Sequence, residues 1–193
     1  MSATLNSFGL RPVYNNVGVV RARAYPNPWA SGFATNLYQG TPVAMATTGL
    51  FVIAANAADF IGTFDGVEYT DSNGRRQFSK YWPSGLAATE IIAYVYDDPN
   101  TIFEVQAEGT LPQTSVGDQA NFSVAGGRAV GDGNTIPGTS TMAVSITLAG
   151  AGAQGMVKIL GLAPYVDNAW GDAYTILQVQ IARHQYVANK VAV

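Results

Sequence analysis

Short runs of alternating apolar and polar residues, divided by turn residues at roughly regular intervals, constrain this chain more than any other feature. Strand side chains point to opposite faces in turn, whereas a helix needs apolar residues three and four apart. Thr101, Phe103, Val105 and Ala107 oppose Ile102, Glu104, Gln106 and Glu108, a half-buried strand. Met142, Val144, Ile146 and Leu148 oppose Thr141, Ala143, Ser145 and Thr147 in the same way. Leu177, Val179 and Ile181 oppose Gln178, Gln180 and Ala182 within a long strand predicted over Ala173–His184. Glu90 to Tyr96 is apolar on both faces, which predicts a central strand covered on two sides.

The turn residues agree with this reading. Asp71-Ser72-Asn73-Gly74 separates Ile61–Thr70 from Arg75–Trp82, and Asn-Gly between two strand-like runs is a strong hairpin signal. Asp97-Asp98-Pro99-Asn100 reads as a tight turn whose side chains cap backbone amides. With 21 glycines and 9 prolines spread along the chain, no long helical pattern survives, and Asn56–Phe60 is the one weak helix candidate. About ten short strands at this spacing predict an all-β fold with minimal helix, a sandwich or a barrel. Jelly-roll-like and twin-barrel versions are both open.

A length of 193 residues suits one large domain or two small ones. Residues 1–24 read as an N-terminal arm with the first strand, 25–110 as a barrel-like portion and 111–193 as a second β-rich portion. The candidate seam is Gly109–Gly117 with Pro112, and a single domain is the alternative. Ala125–Gly138 holds five glycines and one proline without apolar periodicity, a long surface loop.

Only 12% of residues are charged, about half the usual fraction. A compact monomer of this mass exposes roughly 8,800 Å². Such a surface is either dressed in uncharged polar side chains or largely covered by partners. Both readings favour a structural or assembling protein over a free enzyme. A net charge of −3 argues against a broad nucleic-acid footprint. The absence of cysteine excludes disulfides, thiolate metal sites and a Cys nucleophile, and the single histidine excludes a His-rich zinc site. Met1–Leu10 has neither the cations nor the apolar core of a signal peptide. Gly49–Ala58 is too short to span a bilayer. No membrane, nucleic-acid, metal or cofactor partner is expected, and the Asn121-Phe122-Ser123 sequon reads as chance.

Motifs that could carry chemistry lack their context. Gly150-Ala151-Gly152-Ala153-Gln154-Gly155 matches G-x-G-x-x-G, but a dinucleotide site needs a helix opening there, and Met156–Leu160 alternates like a strand. A glycine-rich hairpin loop is the simpler reading. Adjacent Asp97 and Asp98 point apart on extended backbone, unlike a catalytic carboxylate pair. Asp65 with Glu68, or Asp167 with Asp172, matches no calcium loop. His184 has no G-x-S-x-G serine to activate and reads as a strand-end histidine bonded to backbone or an adjacent subunit. Arg21 and Arg23 share a strand face, and Arg75 and Arg76 follow the Asn-Gly turn. They are either solvated edge charges or interface cations. Tyr81-Trp82-Pro83 and Trp170 read as buried aromatic corners rather than a sugar platform.

Several segments resemble, in order and over nearly the full chain, a family of small proteins encoded near the major capsid gene in tailed bacteriophages. They are Ser7-Phe8-Gly9-Leu10-Arg11-Pro12, Gly40-Thr41-Pro42-Val43, Ile61 to Thr70, Tyr81-Trp82-Pro83, Ala93 to Pro99, Asn168-Ala169-Trp170-Gly171-Asp172 and Gln178 to His184. These motifs are structural in character and bring no catalytic signature. The resemblance implies a capsid decoration or cement protein on the outer surface of the virion, made in the bacterial host cytoplasm. Its expected partners are the major capsid protein and itself, as a homotrimer or homodimer. Expected contact residues are Phe8, Arg11, Tyr14, Arg21, Arg23, Arg75, Arg76 and His184, with the strip Ser7–Tyr25 and the C-terminal segment foremost. The alternative is another virion component: a head fibre, a tail part or a carbohydrate-binding module using Trp82, Trp170 and tyrosines.

Overall fold

The computed structural model describes residues 3–188. Its strands are β1 (Arg11–Asn15), β2 (Arg23–Pro26), β3 (Leu37–Tyr38), β4 (Pro42–Met45), β5 (Phe51–Ile53), β6 (Gly62–Thr70), β7 (Arg76–Ser79) and β8 (Tyr81–Trp82). They continue with β9 (Thr89–Tyr96), β10 (Thr101–Gln106), β11 (Gln119–Phe122), β12 (Gly133–Asn134), β13 (Thr139–Ser140), β14 (Val144–Ala149), β15 (Val157–Leu162) and β16 (Ile176–Ile181). The expected strands are all present, and the surplus over about ten consists mostly of two- to four-residue segments. Among the described residues the only helical element is one 3-10 turn, Gln113–Ser115, while 56–58 form a turn.

The protein is all-β. One six-stranded antiparallel sheet has the order β1-β10-β16-β15-β11-β14. The other runs β2-β9-β6-β4-β5, with β7 on β6 beyond β4, and two small pairs, β3-β8 and β12-β13, complete the fold. Both large sheets are open, with terminal strands at each end, so the arrangement is of the sandwich type and the closed-barrel alternative falls away. The chain passes from the second sheet to the first at Asp97–Asn100, the predicted turn. Thr101 N–H donates to the Asp98 carbonyl (3.0 Å) and Asn100 N–H to the Asp98 carboxylate (2.8 Å).

Each sheet has its own core. Phe103, Val105, Leu177, Val179, Ile181, Val157 and Ile159 fill one face of the first sheet, with Leu10, Phe60 and Phe122 against them. Trp29, Trp82, Phe64, Val67, Ala93 and Val95 fill the second. Each fully buried Val, Leu, Ile or Phe side chain among them contributes about 1.5–3 kcal/mol. β9 is central, as its sequence predicts, but only Ile91, Ala93 and Val95 are buried; Ile92, Tyr94 and Tyr96 on the other face are half-covered. The Asn-Gly hairpin joins β6 to β7, with Gly74 at φ 76°, the left-handed conformation that glycine adopts without strain. The G-x-G-x-x-G stretch leads from β14 into β15 with no helix. It passes over the end of β11, and a Cβ on Gly155 would lie 2.7 Å from the Ala120 nitrogen. The folded chain exposes 8779 Å².

Candidate interaction surface

The first two strands are terminal strands of different sheets: β1 closes the first beside β10, and β2 the second beside β9. An exposed connection, 16–22, joins them. This connection and the end of β1 carry a concentration of exposed apolar side chains, with Tyr14 57% exposed, Val17 75% and Val19 87%. They are also where the predicted contact residues gather, and the structure divides them into two kinds.

Arg11 is pinned to its own molecule. Its guanidinium donates to Glu104 Oε2 at 2.5 Å and to the Tyr165 hydroxyl oxygen, while Tyr165 O–H donates to the same Glu104 oxygen at 2.6 Å. Phe8 lies under the guanidinium, 4.6 Å from ring centroid to Cζ. Burial, then the hydrogen bond to Glu104, raises the Tyr165 phenol above its ordinary value. Glu104 is 4% exposed although it stands on the polar side of its strand. Gln106 beside it is buried too, because 4–6 fold back over it. Its amide accepts from Asn6 N–H (2.8 Å) and donates to the Thr4 carbonyl (3.0 Å). Residues 4–10 are thus packed on this chain, and Leu10 belongs to its core.

Arg23 and Arg21 are different. Arg23 reaches Asp97 only at 3.5 Å with its side chain 66% exposed, and stacks at 5.0 Å over Tyr25. Arg21 has no hydrogen bond or ion pair among the described residues. Beneath them Asp97 collects ends of the chain. Tyr25 O–H donates to its carboxylate (2.5 Å), and His184 bonds its carbonyl oxygen through Nε2 (3.0 Å). Because Tyr186 N–H donates to Nδ1 (3.1 Å), the ring hydrogen sits on Nε2. Burial first, then the Asp97 hydrogen bond, pushes the Tyr25 phenol far up, with Tyr186 near enough to add to it. Asn15 at the end of β1 donates to the Asp98 carboxylate (2.7 Å). Burial works to raise the Asp98 carboxyl, but the donors Asn100 and Asn15 outweigh it and hold it below its usual value. His184 is 2% exposed, so it reaches the surface only through this network.

Arg75 and Arg76 stand apart on the β6–β7 hairpin. Arg76 pairs with Glu68 (3.4 Å) and Glu90 (3.7 Å), and Tyr94 O–H donates to Glu68 at 2.9 Å. The hydrogen bonds from Arg76 and then Tyr94 hold the Glu68 carboxyl below its usual value. Phe78, 65% exposed, lies 6.1 Å from the Tyr94 ring. Trp82 is fully buried in the second core and Trp170 packs against the first. Trp82 therefore cannot belong to a ligand surface.

Residues suited to hold a metal do not gather: no three His, Asp or Glu side chains among the described residues are placed to share an ion. Asp65 accepts from Gln39 (2.9 Å), and Glu68 is taken as above. A cavity of about 250 Å³ lies where the sheets meet, lined by Phe8, Leu10, Gln39, Phe64, Asp65 and Tyr96.

Sequence reasoning missed Glu108. Its carboxylate accepts from the hydroxyl of Ser123, just after β11, and from the Ser145 hydroxyl (2.9 Å) and Ile146 N–H (3.3 Å) of the terminal strand β14. Burial works to raise this carboxyl, but those hydrogen bonds and the nearby Arg128 charge hold it down. No family model, curated protein or solved structure matches the chain.

Proposed function

We propose that this chain is a non-enzymatic structural protein of a bacteriophage virion, a decoration or cement protein that binds the assembled capsid and bridges neighbouring capsomers. A protein that binds only the assembled lattice stabilises that lattice by mass action. The observation that carries the reading is the stretch 13–23, where exposed Tyr14, Val17 and Val19 stand near two loosely held arginines, on and between two strands that end their sheets. Apolar groups left in water next to arginine are what protein–protein contacts use. The low charge fraction and the sequence resemblance point the same way. The copies act on the outer shell as a homotrimer or homodimer, after synthesis in the host cytoplasm.

The carboxylates support a structural role: Asp97, Asp98, Glu104 and Glu108 each hold strands or turns together through hydrogen bonds. A second reading, a virion component that binds glycans, draws on exposed Phe78 beside Tyr94 rather than on Trp82. Mass spectrometry of purified particles decides the first. Copies in simple ratio to the major capsid protein are expected; a handful per particle would move the chain to a tail or fibre, and none would end the virion reading. A glycan panel that leaves Tyr and Trp fluorescence unchanged would end the second.

A further inference from the structure

We propose that the open edge of β2 accepts an acidic, extended polypeptide segment of the shell protein as an added strand. The inference rests on the decoration reading for the source of that segment, but its chemistry is argued from this surface alone.

Charge is segregated along the chain. The first 58 residues contain Arg11, Arg21 and Arg23 and no carboxylate side chain, while all thirteen acidic residues lie beyond them. Arg11 is consumed by Glu104, which leaves Arg21, unpaired among the described residues, and the loosely held Arg23 at one place, the start of β2. Among the described residues no strand pairs with β2 on the side away from β9. Asn27 N–H donates to the Ile91 carbonyl at 2.8 Å, so by antiparallel alternation Arg23 and Tyr25 face β9 while Ala22, Ala24 and Pro26 face outward. Pro26, with no N–H, occupies a position where none is needed and limits the free edge to the stretch before it. Along that stretch runs an open groove of about 450 Å³ lined by Arg21, Ala22, Arg23, Ala24 and Tyr94. Its alanines leave room for a neighbour's side chains.

These features select one occupant. Outward backbone groups bond an extended chain, guanidinium groups bind carboxylates bidentately, and Val17 and Val19, exposed in the connection that precedes Arg21, offer apolar contact. A nucleic acid would find too few phosphate contacts and two exposed valines. A second copy docking β2 against β2 would set the same arginines in opposition, which is unfavourable for like charges across a strand pair.

The test uses the intact protein labelled with nitrogen-15 and two peptides of about eight residues, one alternating Glu with Val and the other Lys with Val. Amide shifts confined to residues 17–26 are expected, with the Glu peptide binding at least about tenfold more tightly. The double variant Arg21→Glu, Arg23→Glu reverses that preference; both side chains are exposed, and an unchanged far-ultraviolet circular dichroism spectrum confirms the fold. Equal binding of the two peptides, shifts elsewhere, stronger binding of a single-stranded DNA oligonucleotide, or self-association in place of peptide binding overturns the assignment. Purified particles separate the two readings. Undiminished occupancy by the double variant sinks the β2 contact and leaves decoration standing. Absence of the unaltered chain from particles sinks decoration even where the peptide result holds.

Discussion

β1 and β2 look alike in sequence and behave differently in the fold. Each is a short terminal strand carrying arginine and proline, and each leaves most of its side chains in water. Yet Arg11 of β1 closes over buried Glu104 and Tyr165, whereas Arg23 of β2 merely leans toward Asp97. What separates them is the neighbour across the sheet: the β1 register sets Arg11 opposite Glu104, and the β2 register sets Arg23 opposite Val95. An edge arginine is structural when its cross-strand partner is a buried acid, and available to a partner molecule when it is not.

Substitutions break that comparison in order of effect. Arg11→Ala leaves Glu104 buried without its cation. A fully buried pair broken this way loses about 3–5 kcal/mol, and the half-exposed Arg11 side chain reduces the expectation to about 2–3 kcal/mol, read by urea denaturation. Glu108→Ala strips the hydrogen bonds from Ser145 and Ile146 N–H and costs about 1–2 kcal/mol. It also uncovers part of β14, six residues without charge or proline, so concentration-dependent association in sedimentation velocity should accompany it.

Acid gives a smaller, graded effect. The Asp98 and Glu108 carboxyls titrate below their unfolded values of 3.8 and 4.5. In acid the unfolded chain therefore binds more protons, so their contribution is whole above those values and disappears as pH falls through the lowered folded ones. Asp98→Asn should flatten the stability profile in that window, as followed by circular dichroism; an unaltered profile would remove Asp98 from the account. Smallest of all, Arg21→Ala should change the unfolding free energy by no more than about 0.5 kcal/mol, because the side chain has no partner to lose among the described residues.

The sequence made the local features legible. β10 and β16 show their alternation, and Asn73-Gly74 its hairpin, because a strand face and a turn are decided by residues next to each other. The buried acids were not legible. Glu104 and Glu108 stand on what the alternation marks as the polar face of their run, and only the return of residues 4–10, Tyr165 and β14 over that face buries or engages them. For the same reason His184 could be read as bonding a backbone, but its meeting with the Asp97 carbonyl depends on where the chain changes sheets. Of the expected contact residues, Tyr14, Arg21 and Arg23 lie in the exposed stretch 13–23, and Arg75 and Arg76 stand on a separate hairpin.

The order β1-β10-β16 places the first and last strands of the described residues on either side of one central strand. Both run antiparallel to it and so parallel to each other. Arg11 and Ile176, where those strands begin, lie toward the Gln106 end of β10, while Asn15 and Gln180, near where they finish, lie toward Thr101. A tug on the two ends of the chain would load this trio lengthwise, across its hydrogen bonds rather than along them. The bonds would have to give together instead of peeling one by one, which makes the centre of the first sheet a clamp suited to bearing tension.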